Sequence, residues 1–306
     1  MANKIIKAIR QPRVAIEWLI LRSHILYRMN DEKYLRFLWR LKTGKKLNLD
    51  NPQSYNEKLQ WLKLHDRKPL YTTIVDKILV KHWVSDVLNG GGCTIPTLAV
   101  WNNFEDINIE GLPNKFVLKT NVGSSSAGVV ICKDRNTFDL DSAKKRLAKS
   151  LKESVWKDMR EWPYKDIKPK IFAEEYLEDA TGDLTDYKFF CFDGEVKALF
   201  IGTERFSKEV KFDFYDADFN HLDLYQIHPM SDKIIPKPDG FEEMKSIASK
   251  LSKGFPHVRV DLYNVNGKIY FGEITFYHHS GFAPFHPEKW DYEFGSWIQL
   301  PNNKKN

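Results

Sequence analysis

Residues 257 to 276, HVRVDLYNVNGKIYFGEITF, alternate apolar and polar side chains on both sides of a turn at Asn264 to Gly267. A period of two is typical of a strand with one buried face, and Asn-Gly between two such runs favours a tight hairpin turn. Residues 186 to 202, DYKFFCFDGEVKALFIG, repeat the pattern around Asp193-Gly194. Antiparallel hairpins preceded by helical segments predict an α+β protein rather than a doubly wound parallel sheet.

Helical patterns fill the segments before the hairpins. FEEMKSIASKLSKG places Phe241, Met244 and Leu251 on one face and stops at a glycine. Residues 71 to 88, YTTIVDKILVKHWVSDVL, are predicted to be one helix. Residues 1 to 70 are predicted to be a helical extension without strands, in which Ser54 and Glu57 have the spacing of a capping box.

Composition indicates a globular protein, because 42% of the 306 residues are hydrophobic. Three cysteines without a CxxC pair favour a reducing compartment and suggest neither a disulfide framework nor a zinc site. No apolar run reaches the roughly 18 to 20 residues that cross a bilayer. We therefore expect a cytoplasmic protein.

The net charge of +6 comes from the first 50 residues, which hold twelve Lys and Arg against four Asp and Glu. The segment VAIEWLILRSHILYR within them suits a helix on an anionic membrane surface, at the inner face of the membrane, or a helix packed on the protein's own core. The basic residues do not follow one long face, so we expect no nucleic-acid partner.

The last hairpin carries two carboxylates among apolar neighbours. Asp261 shares a strand face with Arg259, Glu273 shares one with Thr275, and the turn sets Asp261 near Glu273. Buried carboxylates need a partner or a cation, and Mg²⁺ takes one or two carboxylates together with phosphate oxygens. The alternative is a structural ion pair in which Arg259 neutralises both acids.

A second candidate is KFVLKTNVGSSSAGVVICKD, where Lys119 ends a strand before a glycine and serine loop. The backbone donors of such a loop can fold over phosphate oxygens, although Lys119 could equally be an ordinary surface lysine. The loop lacks the Gly-Lys-Ser/Thr of a Walker A motif, and a strand rather than a helix follows it, unlike the GxGxxG fingerprint. A hairpin lid over a triphosphate is the better interpretation.

Lys77, Lys119, the loop, AEEYL and RVDLY...FGEIT occur in the order of the ATP-grasp superfamily of carboxylate-amine ligases, which the chain resembles over residues 71 to 285. DNPQSYNEKLQWLK, REWPYKDIKPKI, DYKFFCFDGE and FPHVRVDLY resemble the TupA-like ATP-grasp proteins of teichuronopeptide, capsule and O-antigen biosynthesis. The resemblance implies an ATP-grasp domain over residues 71–306 after the helical extension 1–70. Its lid subdomain would span about 115–173 and its metal and catalytic subdomain about 174–306, the two clamping ATP.

The resemblance also implies roles for individual residues. Phosphate contacts fall to Lys77 and Lys119, and the mobile phosphate lid to Gly123, Ser124, Ser125, Ser126, Ala127 and Gly128. Adenine would meet Glu174, Glu175, Tyr176 and Leu177, and ribose would meet Asp186. Asp261 and Glu273 would bind Mg²⁺, and Arg259 would stabilise the acyl-phosphate reaction.

The sequence departs from the family pattern at two places. Thr275 stands where the metal site usually ends in Asn, and its hydroxyl can still coordinate Mg²⁺ or orient its water, so Thr275 is a candidate metal ligand while a second Mg²⁺ is in doubt. The usual γ-phosphate lysine is missing, and Lys188 or Arg205 is the candidate to replace it.

The segment FYHHSGFAPFHPEKW follows the metal strand and is interpreted as the acceptor pocket, with His279 accepting a proton from the amine. A packing role for its rings is the alternative. Zinc is disfavoured by the missing third ligand at metal spacing.

The predicted function is an ATP-dependent ligase that joins an amino acid or other amine to a sugar carboxylate, a uronic acid, through an acyl phosphate in capsular or O-antigen polysaccharide biosynthesis. The sugar would be linked to a nucleotide, a lipid or a polymer. Two alternatives remain open: a sugar kinase or transferase on the same fold, and a non-catalytic nucleotide-binding scaffold. A glycosyltransferase is a weaker competitor, because no nucleotide-sugar site is evident.

Overall fold

The computed structural model describes residues 25–123, 128–151, 155–178, 184–203, 210–231 and 235–301. Most of the basic N-terminal segment lies outside these ranges, as do Ser124, Ser125, Ser126, Ala127 and Arg205. No helix in the described part of the chain has the length and apolar character needed to cross a bilayer.

Eight α-helices lie in the described residues: α1 Asp31–Thr43, α2 Tyr55–His65, α3 Leu70–Val75, α4 Val80–Val87, α5 Leu140–Leu151, α6 Val155–Met159, α7 Phe241–Ser252 and α8 Lys289–Trp297. The predicted capping box of Ser54 and Glu57 begins α2. The single helix predicted over residues 71–88 is wrong, because the chain breaks into α3 and α4 at Asp76. Asp76 Oδ1 accepts from the backbone N–H groups of Ile78 and Leu79, which competes with helix continuation.

Within the same described ranges, ten strands form two sheets: β1 Thr97–Trp101, β2 Phe116–Thr120, β3 Val129–Cys132, β4 Ile171–Glu175, β5 Asp186–Phe192, β6 Glu195–Thr203, β7 Lys211–Asp216, β8 His221–Leu222, β9 Val258–Val265 and β10 Lys268–Thr275. The smaller sheet has the order β1-β4-β2-β3 and the larger one β10-β9-β5-β6-β7-β8. Every pairing between these strands is antiparallel. The α+β prediction is confirmed.

Both predicted hairpin turns occur where Gly follows Asp or Asn. Asp193 and Gly194 have φ of 46° and 86°, and Asn266 and Gly267 have φ of 53° and 85°. Positive φ at both central residues is the geometry of a primed turn, which matches the twist of the flanking strands. Each turn sets the register next to it, and the register then shifts between Phe190 and Cys191 of β5 and between Phe271 and Glu273 of β10.

The larger sheet is covered on both faces. Phe189 of β5 points to one face and packs against Phe241 of α7, with ring centroids 6.0 Å apart. Phe190 points to the other face and packs edge-on against Tyr55 of α2 and Phe294 of α8. The Phe190 face also carries Arg259, so the candidate site lies on the side where α2 and α8 pack.

The smaller sheet has a core of its own, to which Phe116 and Leu118 of β2 and Leu147 of α5 contribute. Lys119, next to the end of β2, therefore lies on a sheet that packs against its own hydrophobic core.

Candidate active site

Strand register brings the predicted metal and catalytic residues together. Asp261 of β9 pairs with Glu273 of β10, and Arg259 pairs with Thr275. On the other side of β9, Lys188 of β5 pairs with Asp261. Paired residues of neighbouring strands point to the same face. One face of the sheet therefore presents all five side chains.

The Arg259 guanidinium is the centre of this cluster, and its side chain is only 9% exposed. Its Nε and Nη2 donate to the two oxygens of Asp261 at 2.7 and 2.8 Å. Nη2 also lies 3.1 Å from Glu273 Oε1 and 3.1 Å from Thr275 Oγ1. The structure thus contains the ion pair that the sequence offered as the alternative to a metal site.

Lys188 occupies the other side of Asp261. Its Nζ donates to Asp261 Oδ2 and lies 3.1 Å from Asp186 Oδ2. Burial opposes the charged ammonium, but the two carboxylates outweigh burial and raise the pKa of Lys188. Burial likewise opposes the Asp261 carboxylate, yet Arg259 and Lys188 hold the pKa of Asp261 below its ordinary value. Arg259, Lys188 and Asp261 are therefore charged at neutral pH.

The donor set fits Mg²⁺. Asp261 and Glu273 both approach the same Arg259 nitrogen, so their oxygens converge on one point. The Glu273 side chain is 35% exposed and can meet a ligand from solvent. Within the described ranges, no group of three or more His, Cys, Asp and Glu side chains is arranged to hold a metal ion. Mg²⁺ here would need further oxygens from phosphate or water, as it commonly does.

A second charged cluster lies at the smaller sheet. Lys119 Nζ donates to Glu174 Oε2, and Lys81 Nζ of α4 contacts Glu174 Oε1. Burial opposes the charge on Glu174, but the two ammonium groups lower its pKa. Glu174 was predicted to contact adenine, and in the structure its carboxylate forms ion pairs with Lys81 and Lys119.

Lys81 was missed by the sequence analysis, which chose Lys77 from the same DKILVK segment. Lys81 Nζ also donates to the carbonyl of Ile95 and to Thr97 Oγ1, so it ties α4 to the start of β1. The sequence contained one indication of Lys81. It follows Lys77 by four residues, a spacing that places two side chains on the same face of a helix.

Lys77 lies between the two clusters. Its Nζ donates to the carbonyl of Gly123, whose φ is 103°. Burial lowers the pKa of Lys77, and the nearby Glu273 acts against that effect. Lys77, Gly123 and Glu273 line one depression together with Ile74, Val75, Val80, Tyr164, Gly272 and Ile274. Gly128 packs where an added Cβ would lie 2.5 Å from Thr120 Oγ1.

The remaining residues predicted to contact the nucleotide lie at the end of β4, directly after it, or at the start of β5. Glu175 is exposed, and its N–H donates to the carbonyl of Pro96 at 3.2 Å. Tyr176 and Leu177 are half-buried, and the Tyr176 ring lies 5.5 Å from Lys115 Nζ. Asp186 is buried beside Lys188. Their contacts with adenine and ribose stay predictions.

The loop after β10 contains two adjacent histidines of the predicted acceptor pocket, His278 and His279, which differ in burial. His279 and Ser280 have φ of 46° and 55°, a strained conformation for residues with side chains. His279 is exposed as a residue, yet surrounding protein and Arg259 lower its pKa to about 4. His278 is buried and points to Arg259, so it does not line an open acceptor pocket.

Helix α2 holds this loop in place. Gln60 Nε2 donates to the carbonyls of Ser280 and Gly281 at 3.0 and 2.9 Å, and Lys63 Nζ donates to Ser280 at 2.8 Å. Ser280 Oγ donates to the buried Glu161. Burial lowers the pKa of Lys63 to about 7 and raises that of Glu161 to about 7. The predicted extension therefore contributes directly to the site.

A family model for TupA-like ATPgrasp matches residues 57–299. The chain belongs to the TupA-like ATP-grasp family. The match includes both sheets and both charged clusters, and it confirms the resemblance found in the sequence. It also begins within α2, so α2 is part of the TupA-like ATP-grasp match. No curated protein matches the chain.

Two solved structures illustrate the similarity. D-Alanine-D-alanine ligase from Helicobacter pylori is 19% identical with a TM-score of 0.41, over 79% of this chain and 62% of that one. N5-carboxyaminoimidazole synthetase from Staphylococcus aureus, complexed with ADP, is 16% identical with a TM-score of 0.42, over 90% of this chain and 60% of that one. The TupA-like chain thus covers less than two thirds of the length of either relative.

Proposed function

We propose that the protein is an ATP-dependent carboxylate-amine ligase. It joins an amino acid or other amine to a sugar carboxylate, a uronic acid, in the biosynthesis of a capsular or O-antigen polysaccharide. The amide forms through an acyl phosphate, with release of ADP and phosphate. The observation that carries the proposal is the convergence of Asp261 and Glu273 on Arg259, beside lysines that suit a triphosphate.

Charge supports this assignment. Asp186 and Asp261 contact Lys188, Asp261 and Glu273 contact Arg259, and the Glu273 side chain is 35% exposed and therefore open to a cation. At the smaller sheet, two lysines share the single carboxylate of Glu174, and Lys77 lies between the clusters. A cleft with a cationic end and an acidic end complements the phosphates and the metal of Mg·ATP.

The chain's own groups act by positioning and charge neutralisation, as is usual for phosphoryl transfer. Lys77, Lys81 and Lys119 hold phosphate oxygens. Asp261 and Glu273, with Thr275 beside them, would hold Mg²⁺, which would supply charge neutralisation for the phosphates when bound. A substrate carboxylate oxygen then attacks the γ-phosphorus, and the bond from that phosphorus to the β–γ bridging oxygen breaks to release ADP.

The second step exchanges phosphate for an amine. The amine nitrogen attacks the acyl carbon, the carbon–oxygen bond to phosphate breaks, and the amine proton passes to a base. His279 is that base in our proposal, because it is neutral at pH 7 and is exposed as a residue. Arg259 stabilises the negative charge that develops on the acyl oxygen, and Lys188 supports the γ-phosphoryl group.

Calorimetric titration of ATP with and without Mg²⁺ tests the nucleotide site. We expect Mg²⁺-dependent binding by the wild type, loss of that dependence in Glu273→Ala, and wild-type behaviour in Glu243→Ala, which changes an exposed glutamate of α7. A folded wild type that binds no ATP would refute the assignment.

Turnover assays with uronic acids and amines test the reaction. Release of ADP that depends on both substrates, with an amide product, is the expected result. ADP release without an amine, together with a stable phosphorylated sugar, would show a kinase instead.

A further inference from the structure

The Arg259 guanidinium has one nitrogen that does not serve the carboxylates. Nη1 lies 2.8 Å from Nδ1 of His278, a residue only 1% exposed. Every guanidinium nitrogen is a donor and none accepts, so His278 Nδ1 must accept through its lone pair. The proton of the neutral imidazole is therefore on Nε2.

The opposite nitrogen of the same ring has a matching partner. His278 Nε2 lies 2.8 Å from Oε1 of Gln226, which is 4% exposed. Gln226 Nε2 in turn faces the carbonyl of Ala283 at 3.5 Å, so the amide presents its oxygen to His278. One orientation of each group satisfies the whole chain from Ala283 through Gln226 and His278 to Arg259.

We propose that His278 and Gln226 are positioning residues that hold the Arg259 guanidinium on the carboxylate face, with His278 as the neutral Nε2–H tautomer. The role deepens the ligase function proposed above and rests on it. Neither residue was assigned this role from the sequence, in which His278 belonged to the acceptor pocket and Gln226 was not singled out.

The geometry explains why Arg259 needs such an anchor. Its Nε and Nη2 bind the same carboxylates that would bind Mg²⁺, so a cation weakens those contacts. Nη1 keeps a neutral partner that no ligand competes for, because the imidazole is buried. A proton on His278 Nδ1 would instead place that N–H against an N–H of Arg259 Nη1, near the positive charges of Arg259 and Lys188. Burial, His279 and Arg259 also lower the pKa of His278 far below its ordinary value.

Packing contacts, in addition to hydrogen bonds, fix the position of the His278 ring. Phe190 meets the His278 ring edge-on at 5.0 Å, and Phe200 lies 5.5 Å from it. Phe200 also lies under the guanidinium, 5.8 Å from Arg259 Cζ. The His278 imidazole and the Arg259 guanidinium thus pack against the same Phe200 ring. A displacement of the imidazole should therefore also displace the guanidinium.

The first test requires no ligand. Nitrogen-15 NMR of the histidine-labelled protein should show His278 as the Nε2–H tautomer, identified by its loss in His278→Phe. The Arg259 Nε–H, assigned with Arg259→Lys, should exchange slowly with solvent. His278→Phe should accelerate that exchange about tenfold or more, the equivalent of one hydrogen bond to a charged group. His278→Asn, whose Oδ1 can replace Nδ1, should recover part of the protection.

Gln226→Met and His257→Phe complete the design. Gln226→Met keeps the volume of the side chain but removes the acceptor for Nε2–H, so it should lower the share of this tautomer. His257 is a second buried histidine on Phe190, bonded to Tyr55 and to the carbonyl of Cys191 rather than to Arg259. His257→Phe should leave the exchange of Arg259 unchanged. An Nδ1–H tautomer, or unaltered Arg259 exchange in His278→Phe, would overturn the proposal.

Measurements of Mg·ATP binding test whether the position of Arg259 affects function. His278→Phe and Gln226→Met should weaken Mg·ATP at least about tenfold, and His257→Phe should bind as the wild type does. Equal losses in all three variants would show a merely structural role. Failure of the wild type to bind ATP would refute the ligase function, while the exchange measurements would still decide whether His278 holds Arg259.

Discussion

Asp261→Asn is the substitution whose effect the structure defines most sharply. Asp261 is 1% exposed and is the shared acceptor of Arg259 and Lys188. Removing one partner of a buried ion pair costs about 3 to 5 kcal/mol, because a charge is left uncompensated. Glu273 still contacts Arg259 and Asp186 still contacts Lys188. We therefore expect the lower end, a loss of about 3 kcal/mol in the free energy of unfolding.

The pH dependence of this loss provides a second check. The pKa of Asp261 is lower in the folded protein than in the unfolded chain, so its stabilisation is complete above the unfolded value of about 3.9. As pH falls below that value and through the folded pKa, the stabilisation disappears. The difference between wild type and Asp261→Asn should be constant from pH 7 to 5 and should shrink below about pH 4.

Urea denaturation at several pH values, followed by circular dichroism, measures both quantities. Glu243→Gln, at an exposed glutamate of α7, is the control and should change the free energy of unfolding at pH 7 by less than about 0.5 kcal/mol. A variant Asp261→Asn as stable as the wild type at pH 7 would refute the inference that this network stabilises the fold.

Three further predictions concern other parts of the chain. Gly281→Ala should cost about 3 kcal/mol in a urea titration and Gly267→Ala about 1 kcal/mol, because both have positive φ but only Gly281 lies against α2; equal costs would contradict this. Lys81→Met should weaken Mg·ATP about tenfold by calorimetry, whereas Lys115→Met, at an exposed salt bridge, should not. The pKa of His257 is lowered to about 3, so protonation of the unfolded chain should destabilise the protein as pH falls below about 6.5. His257→Phe should reduce that slope by up to about 1.4 kcal/mol per pH unit, and an unchanged slope would exclude His257 as its source.

The hairpins were predictable because the information is local. Asn266-Gly267 and Asp193-Gly194 specify turns in which two residues adopt positive φ, and such a turn sets the register of the residues next to it. Period two also predicts that Arg259 shares a face with Asp261, and Glu273 with Thr275. The regular register from the turn would place Gly272 opposite Asp261, and only the register shift between Phe271 and Glu273 places Glu273 there. No turn residue predicts that shift.

Contacts between distant segments were not predictable in this way. Lys81 reaches Glu174 only because α4 packs at the end of β4, and no local pattern encodes that approach. Gln226 and His278 are 52 residues apart, and each looks like an ordinary polar residue beside aromatics. The break at Asp76 was missed because its side chain accepts from the backbone N–H groups of Ile78 and Leu79 and also from Asn121, a tertiary contact.

The contacts of α2 with the loop after β10 limit how the chain can be cut. Gln60 and Lys63 hold three of that loop's hydrogen bonds, and Gly281 lies so close to α2 that an added Cβ would come 2.4 Å from Gln60 Nε2. A fragment starting at residue 71 would keep both sheets, yet its loop would lose these partners and expose the carbonyls of Ser280 and Gly281. Transplanting the site into another scaffold, or expressing a minimal enzyme, therefore requires the helix that precedes the sheets by some thirty residues.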